Sequence, residues 1–207
     1  HGKMPKGDSG FEYESFIESK LEHLGINQDL IKQISKNYSP IRNDLKKGLF
    51  VFNKDAHPRN WSIDEEEESK KFSVYAIDLE GKKDSVPAEL DLASLLEYVD
   101  ISLKERKRLF ELYKESLSKY ATSTNSFEES FSERRYLNAS FSKAISIFSW
   151  PTMTSERKIK ILTKARENVE KIKEVDDNYY QEFSANYDNL LDGLDKIIDF
   201  VNSNNHQ

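Results

Sequence analysis

One window of this chain, residues 48–77, favours β-strands, while almost all of the remainder is patterned for helices. It begins with the apolar run Gly48-Leu49-Phe50-Val51-Phe52, and two further β-type runs follow at residues 61–63 and 72–77. Short runs rich in aromatic and β-branched residues, bounded by polar segments, are typical of strands. The window therefore predicts a small β element, with a β-hairpin, in the first half of a mainly α protein.

Apolar residues recur at helical spacing on both sides of this window. Residues 11–24 form a candidate helix that ends at Gly25, and Asn27 is the expected N-cap of a second helix. After Pro87, residues 88–99 are apolar around more than half of the helix circumference, which predicts deep burial. We expect further helices over residues 102–120, 127–150, 155–173 and 177–201.

An acidic run separates the second and third β-type runs. It spans residues 64–68 and precedes Ser69, Lys70 and Lys71. Blocks of like charge are usually solvated, so we interpret the run as a solvated hairpin tip in preference to a metal-binding or regulatory segment.

Composition removes several classes of protein. The 12 Phe, 10 Tyr and 2 Trp supply enough aromatic surface for one sizeable core in 207 residues. The absence of cysteine excludes a disulfide scaffold, a thiol nucleophile and a cysteine-ligated metal. A net charge of −6 with both signs interspersed argues against binding to a nucleic acid backbone, because that needs a concentrated basic face.

The sequence contains no long apolar segment. The longest apolar stretches are about five residues, whereas a membrane span needs about 20. The first 20 residues mix Lys, Asp and Glu without a continuous apolar segment. We therefore expect neither a membrane span nor a signal peptide, and a cytoplasmic location.

Polar residues capable of phosphoryl transfer follow two of the predicted strands. Asp55, His57 and Asn60 follow the first strand, and Asp78 and Glu80 follow the strand that begins near residue 72. One carboxylate can orient an attacking hydroxyl and accept its proton, while an amide oxygen and a second carboxylate are hard ligands suited to Mg²⁺. Asn60 follows Asp55 by five positions, a spacing that allows the catalytic base and the metal ligand to point in different directions.

Three segments carry a family resemblance. They are Asn53-Lys54-Asp55-Ala56-His57-Pro58-Arg59-Asn60, then Ile77-Asp78-Leu79-Glu80, then Asp91-Leu92-Ala93. Together they resemble the catalytic loop (HxDxHxxN), the metal loop (IDxE or IDxD) and the following helix start of the aminoglycoside phosphotransferase and choline-kinase-like family. The resemblance covers residues 49–93 well and the rest of the chain by pattern alone.

The resemblance implies a role for each matching residue. Asp55 would be the catalytic base, Asn60 and Asp78 would bind Mg²⁺, and His57 would be a structural histidine of the loop. Asp91 would begin a helix and brace the two loops. The cofactors would be ATP and Mg²⁺, the reaction would phosphorylate a hydroxyl of a small molecule, and the fold would be the helical C-terminal lobe of a protein-kinase-like enzyme.

The sequence also departs from the family pattern. Asn53 stands where the family has histidine, and Lys54 replaces the glycine that usually follows. Asn53 can still hydrogen-bond locally and support the loop. Glu80 has two open interpretations: a group that assists the metal site or binds a second metal ion, and an exposed loop carboxylate.

The resemblance also implies a domain organisation. Residues 1–10 would link to an N-terminal lobe outside the chain, residues 11–203 would form the C-terminal lobe, and residues 204–207 would be a disordered tail. Within that lobe, residues 49–93 hold the catalytic and metal loops and residues 94–203 a helical subdomain. Because the catalytic loop begins only about 50 residues in, we expect the glycine loop and ATP-positioning lysine of the family to lie outside the chain, leaving it inactive alone.

Other functions remain open at this stage. One is a non-catalytic binding module that keeps the kinase-like scaffold, and another is a purely structural helical interaction domain. Arg134 and Arg135 are interpreted as surface residues paired with the acidic residues just before them, in preference to a substrate contact. No GxSxG, GxxxxGK[ST] or GxGxxG motif is present, so hydrolases and nucleotide-binding folds that depend on them are disfavoured.

Overall fold

The computed structural model describes residues 16–48, 50–52, 61–66, 71–76, 85–97, 101–119 and 131–204. This part of the chain is mainly helical, with two antiparallel pairs of short strands. The helices are α1 (Phe16–Leu21), α2 (Gln28–Asn37), α3 (Ser39–Leu45), α4 (Ala88–Leu96), α5 (Leu103–Ser118), α6 (Glu133–Phe148), α7 (Ser155–Val175), α8 (Asp177–Glu182) and α9 (Ser184–Asn204). The strands are β1 (Phe50–Phe52), β2 (Trp61–Glu66), β3 (Lys71–Ala76) and β4 (Ser85–Pro87).

Two local predictions at the start of the chain are confirmed. A short 3-10 turn follows α1 and ends at Gly25, whose φ of 71° lies in the left-handed region that glycine tolerates. The Asn27 side chain accepts a hydrogen bond from the Asp29 backbone N–H at 2.7 Å and so caps α2. The turn between α1 and α2 is therefore specified by two residues.

The strands form two separate pairs, of which one is the predicted hairpin. β2 pairs with β3, from Trp61 opposite Ala76 to Glu66 opposite Lys71. The acidic residues 64–66 accordingly lie within β2, where the sequence interpretation had assigned them to the hairpin tip. A β ladder is formed by backbone groups, so the pairing of β2 with β3 can continue through charged residues. Residues 67–70 lie outside the described residues. β1 pairs with β4, a contact that brings Phe50 opposite Pro87.

Several predicted helix boundaries shift. α6 begins at Glu133, where the Ser132 side chain accepts from the Arg135 N–H, and not near residue 127. α9 continues to Asn204, so the predicted disordered tail is wrong at that residue, and residues 205–207 lie outside the described residues. The Ser203 hydroxyl donates to the Asp199 carbonyl and Val201 is buried, which holds this end of α9.

The predicted helix over residues 177–201 is interrupted at Phe183 and divides into α8 and α9. The interruption lets the rings of Tyr180 and Tyr187 stack with their centroids 5.4 Å apart. In an unbroken helix, residues seven positions apart are separated by roughly 10 Å along the axis. Burial of both rings in one cluster therefore favours the break, a tertiary effect that helical periodicity does not contain.

The helices pack around α6 and α7. α6 contacts α7, α4 and α3, while α9 contacts α7 and α2. The shared core consists of aliphatic and aromatic side chains from these helices, among them Ile31, Ile34, Ile41, Leu92, Phe141, Ile145, Leu162, Val169, Leu190, Leu194 and Ile197. Within the described part of the chain, none of the helices combines the length and apolarity that crossing a membrane requires.

Candidate functional site

The two strand pairs fix the ends of the two segments that carry the predicted site. Residues 53–60 join β1 to β2, and residues 77–84 join β3 to β4. Phe52, which precedes the first segment, is paired with Ser85, which follows the second. Trp61, which follows the first segment, is paired with Ala76, which precedes the second. Each segment therefore starts beside the point where the other ends.

The predicted site residues themselves fall inside these two segments and lie outside the described residues; they are Asn53, Asp55, His57, Asn60, Asp78 and Glu80. Among the described residues, no group of three or more His, Asp or Glu side chains is arranged to hold a metal ion. Of the predicted set, Asp91 alone belongs to the described part of the chain.

Asp91 lies in the first turn of α4 and is buried. Its Oδ2 accepts a hydrogen bond from the Tyr113 hydroxyl at 2.9 Å, a contact that joins α4 to α5. Burial raises the pKa of the Asp91 carboxyl to about 6, while the Tyr113 hydrogen bond lowers it. Asp91 thus braces α5 against the start of α4.

A second acidic residue of the same turn, Glu89, is fully buried and was missed by the sequence analysis. Its Oε1 accepts hydrogen bonds from Arg135 Nη1 and from the Ser132 backbone N–H, both at 3.1 Å. Arg135 is 3% exposed. Glu89 therefore ties the beginning of α4, immediately after β4, to the first turn of α6.

Asp44, near the end of α3, is the centre of the same network. Its carboxylate accepts from Arg134 Nη2 at 2.7 Å, from Arg134 Nε at 3.2 Å and from Asn138 Nδ2 at 2.8 Å. Arg135 Nε lies 3.6 Å from Asp44 Oδ1. Because the Asp44 side chain has no solvent exposure, these contacts replace its hydration.

The network continues to α7, α8 and α9. Arg134 also pairs with Asp176 at the junction of α7 and α8, and its guanidinium lies 4.1 Å from the centre of the Tyr179 ring. Asn138 Oδ1 accepts from the Tyr187 hydroxyl of α9 at 3.0 Å. The expected surface location is wrong for Arg135, which is buried, and Arg134 lies between Asp44 and Asp176; the acidic residues 128 and 129 that were the expected partners of this arginine pair lie outside the described residues. We name this set, Asp44, Glu89, Arg134, Arg135, Asn138 and Asp176, the ionic network.

The ionic network lies directly beside the β1–β4 pair. Gly48 precedes β1 by two residues, and a Cβ atom at this position would lie 3.0 Å from Glu89 Oε2 and 3.1 Å from Arg135 Cδ. A side chain at this position requires the Glu89 or Arg135 side chain to move by a few tenths of an ångström. Glu89 is two residues beyond β4. Glu89 therefore ties the residues after β4 to α6, and the chain entering β1 passes close to the same carboxylate at Gly48.

Glu89 is a carboxylate of the ionic network whose pKa is raised. Three carboxylates, Asp44, Glu89 and Asp176, meet two guanidinium groups, Arg134 and Arg135. Burial raises the pKa of Glu89 to about 7, and Arg135 opposes that rise. The Oε2 atom is buried and has no hydrogen-bond partner among the described residues.

This arrangement predicts a pH dependence that the substitution Glu89→Gln should remove. A carboxyl whose pKa is higher in the folded state binds more protons in that state, so the free energy of unfolding falls as pH rises from about 4.5 to about 7. A shift of this size bounds the loss at about 3 kcal/mol. Chemical denaturation from pH 5 to 8 should show Glu89→Gln gaining stability relative to the wild type as pH rises. Parallel stability curves for the two proteins would contradict the raised pKa of Glu89.

One signal for Glu89 was present in the sequence. It lies in a segment that is otherwise apolar around most of the helix, and charged residues are almost never fully buried without a partner. That pattern predicts a buried ion pair but does not identify Arg135, which lies 46 residues further along the chain.

No protein-family model matches the chain, and comparisons with curated proteins and with solved structures find no significant similarity.

Proposed function

We propose that this chain is the helical C-terminal lobe of a kinase-like phosphotransferase that uses ATP and Mg²⁺ to phosphorylate a small-molecule hydroxyl in the cytoplasm. One observation carries the proposal beyond the sequence resemblance. The registers Phe52 with Ser85 and Trp61 with Ala76 bind together the ends of segments 53–60 and 77–84. The β1–β4 pair therefore lies at one end of both segments, and the β2–β3 pair lies at the other end. One segment contains Asp55 and Asn60, and the other contains Asp78.

The proposed roles follow from donor chemistry. The Asn60 amide oxygen and the Asp78 carboxylate are hard oxygen ligands, which suit Mg²⁺ and leave coordination positions for phosphate oxygens and water. When bound, Mg²⁺ would neutralise charge on the phosphates. Asp55 would orient the substrate hydroxyl and accept its proton. His57 and Asn53 would support the loop, and the role of Glu80 stays open between the metal site and an exposed carboxylate.

The ionic network supports this proposal by providing a stiff base for the site. It holds the residues next to β1 and β4 against α6 through Glu89 and the close approach of Gly48. Phosphoryl transfer depends on positioning, so an enzyme of this class needs strands that do not move relative to the helical body. The buried Asp91 to Tyr113 hydrogen bond adds a second attachment of α4.

Ligand-dependent melting tests the proposed metal site. A ligand that binds only the folded state raises the melting temperature, by an amount set by its concentration relative to Kd. We expect ATP to raise the melting temperature of the complete gene product more with Mg²⁺ than with EDTA, and Asp78→Asn to remove this Mg²⁺-dependent increment. The matched control is Asp64→Asn, an equal change of charge in β2, three residues beyond Trp61.

The outcomes separate the candidate functions. An increment that survives Asp78→Asn would contradict the assignment of Asp78 as a metal ligand. The absence of any Mg²⁺ effect would favour a structural helical domain. A normal Asp78-dependent increment without phosphotransfer would favour the non-catalytic binding module, the alternative that Asn53 in place of the family's histidine motivates.

A further inference from the structure

The first turn of α4 connects the β1–β4 pair to two of the helices. β4 runs directly into this turn at Pro87, which is paired with Phe50 of β1. Within the turn, Asp91 binds the Tyr113 hydroxyl of α5, and Glu89 binds α6. A movement of this turn away from α6 would therefore disturb one end of the β1–β4 pair.

The attachment of the turn to α6 is ionic and buried. Glu89 Oε1 accepts hydrogen bonds from Arg135 Nη1 and from the Ser132 backbone N–H, both at 3.1 Å. The side chains of Glu89 and Arg135 are 0% and 3% exposed. Removing a carboxylate from water is costly, and an ion pair recovers that cost only in part when its geometry is imperfect. The ionised form of Glu89 is therefore less favourable here than in water.

Arg135, the cation that binds Glu89, is shared with a second carboxylate. Its Nε lies 3.6 Å from Asp44 Oδ1 of α3. On the α5 side, burial raises the pKa of the Tyr113 hydroxyl, and the charges of Asp91 and Glu89 raise it further, so Tyr113 faces Glu89 as a neutral group. The strands β1 and β4 consist of Phe, Val, Ser and Pro and contribute no titratable side chain.

We propose that the first turn of α4 is a pH-sensitive latch on the β1–β4 pair. The turn stays closed against α6 while Glu89 holds a proton, and it separates from α6 more often once Glu89 is ionised, because the charged carboxylate gains hydration by leaving. Opening releases the β1–β4 end of segments 53–60 and 77–84. The latch is a property of the fold, and its influence on phosphotransfer rests on the proposed function.

The strand lengths favour an opening that is local. β1 and β4 have three residues each, whereas α7 and α9 have 21 residues each. Short elements with few backbone hydrogen bonds open at a lower free energy than the long helices of a core. The turn can therefore leave α6 while the packing of α7 against α9 is kept.

The direction of the pH effect follows from proton linkage. Burial raises the pKa of Glu89 from 4.5 to about 7 in the closed state, and exposure in the open state restores the lower value. The closed state binds the proton more tightly, so the equilibrium constant for opening rises between these two pH values and levels off above them. From pH 5 to pH 7.5 the expected rise is roughly 50-fold.

Hydrogen exchange of the whole chain, followed by mass spectrometry between pH 5 and pH 7.5, tests the latch. Amides in residues 85–96 report on the turn and β4, and amides in residues 190–198 report on the core of α9. After correction for the intrinsic exchange rate, we expect opening at residues 85–96 to become roughly 50-fold more frequent as pH rises. It should also remain more frequent than opening at residues 190–198 throughout.

Two substitutions separate the role of Glu89 from a general effect of pH. Glu89→Gln keeps an acceptor for Arg135 but does not titrate, so it should abolish the rise at residues 85–96. Asp195→Asn, a change at an exposed carboxylate, should leave the rise intact. If Glu89→Gln fails to fold, the wild-type pH series decides alone.

Two results would overturn the proposal. One is a wild-type opening frequency at residues 85–96 that does not rise with pH. The other is equal opening at residues 85–96 and 190–198 at every pH, since the turn would then open only when the whole protein unfolds. Neither result depends on phosphotransfer, so failure of the latch is distinguishable from failure of the proposed function.

Discussion

Replacing Asp44 with alanine is expected to lower the free energy of unfolding by about 3–5 kcal/mol, the range for breaking a buried ion pair by removal of one partner. The substitution deletes the carboxylate that accepts from both Arg134 and Asn138. Arg134 would keep Asp176, and Arg135 would keep Glu89, but neither arginine would retain all its charge compensation. The loss would loosen α3 from α6, and with it the entry to β1.

Equilibrium denaturation with urea measures this loss, and the chain offers a matched control. Asp195 is also paired with an arginine, Arg166, at 2.8 Å, but its side chain is 52% exposed. Exposed ion pairs contribute about 0–1 kcal/mol, so Asp195→Ala should have a small effect. Equal destabilisation by the two substitutions would show that burial of the ionic network adds nothing to its strength.

Signals that are local in sequence predicted local structure well. Asn27 and Gly25 were identified as helix caps because a side-chain acceptor and a positive φ are requirements of one or two residues. The hairpin of β2 and β3 and the buried helix α4 followed from the spacing of apolar residues. Each of these features is determined by neighbours within a few positions along the chain.

Features that depend on distant partners were not predictable in this way. Asp44 and Arg134 are 90 residues apart, and nothing in either local pattern indicates that they meet. The break at Phe183 likewise serves the stacking of Tyr180 on Tyr187. Periodicity reports which face of a helix is apolar, whereas the pairing of buried charges and the kinking of a helix depend on the assembled core.

The candidate site combines both kinds of information. The residue types and spacing of Asp55, Asn60 and Asp78 come from the sequence, and the pairing of β1 with β4 comes from the fold. The sequence predicted strands before both segments, but it did not predict β4. That strand is only three residues long, and it is formed by pairing with β1.

The second large expected effect is a loss of phosphotransfer when the proposed catalytic base, Asp55, is replaced. Asp55→Asn should reduce kcat for phosphotransfer by about 10²–10⁴-fold, the usual contribution of a positioned general base. Asparagine has nearly the same shape but cannot accept the substrate proton, so we expect KM for ATP to change little. Asp64→Asn, on the neighbouring hairpin, is the control and should retain the wild-type kcat.

That assay, performed on the complete gene product with ATP, Mg²⁺ and a panel of small-molecule hydroxyl acceptors, is the most direct test of the central claim. We predict phosphorylation of at least one acceptor by the wild-type protein, loss of at least 100-fold in kcat for Asp55→Asn, and unchanged folding of the variant by circular dichroism. Phosphotransfer that falls by no more than a few-fold in Asp55→Asn would contradict the assignment of Asp55 as the catalytic base.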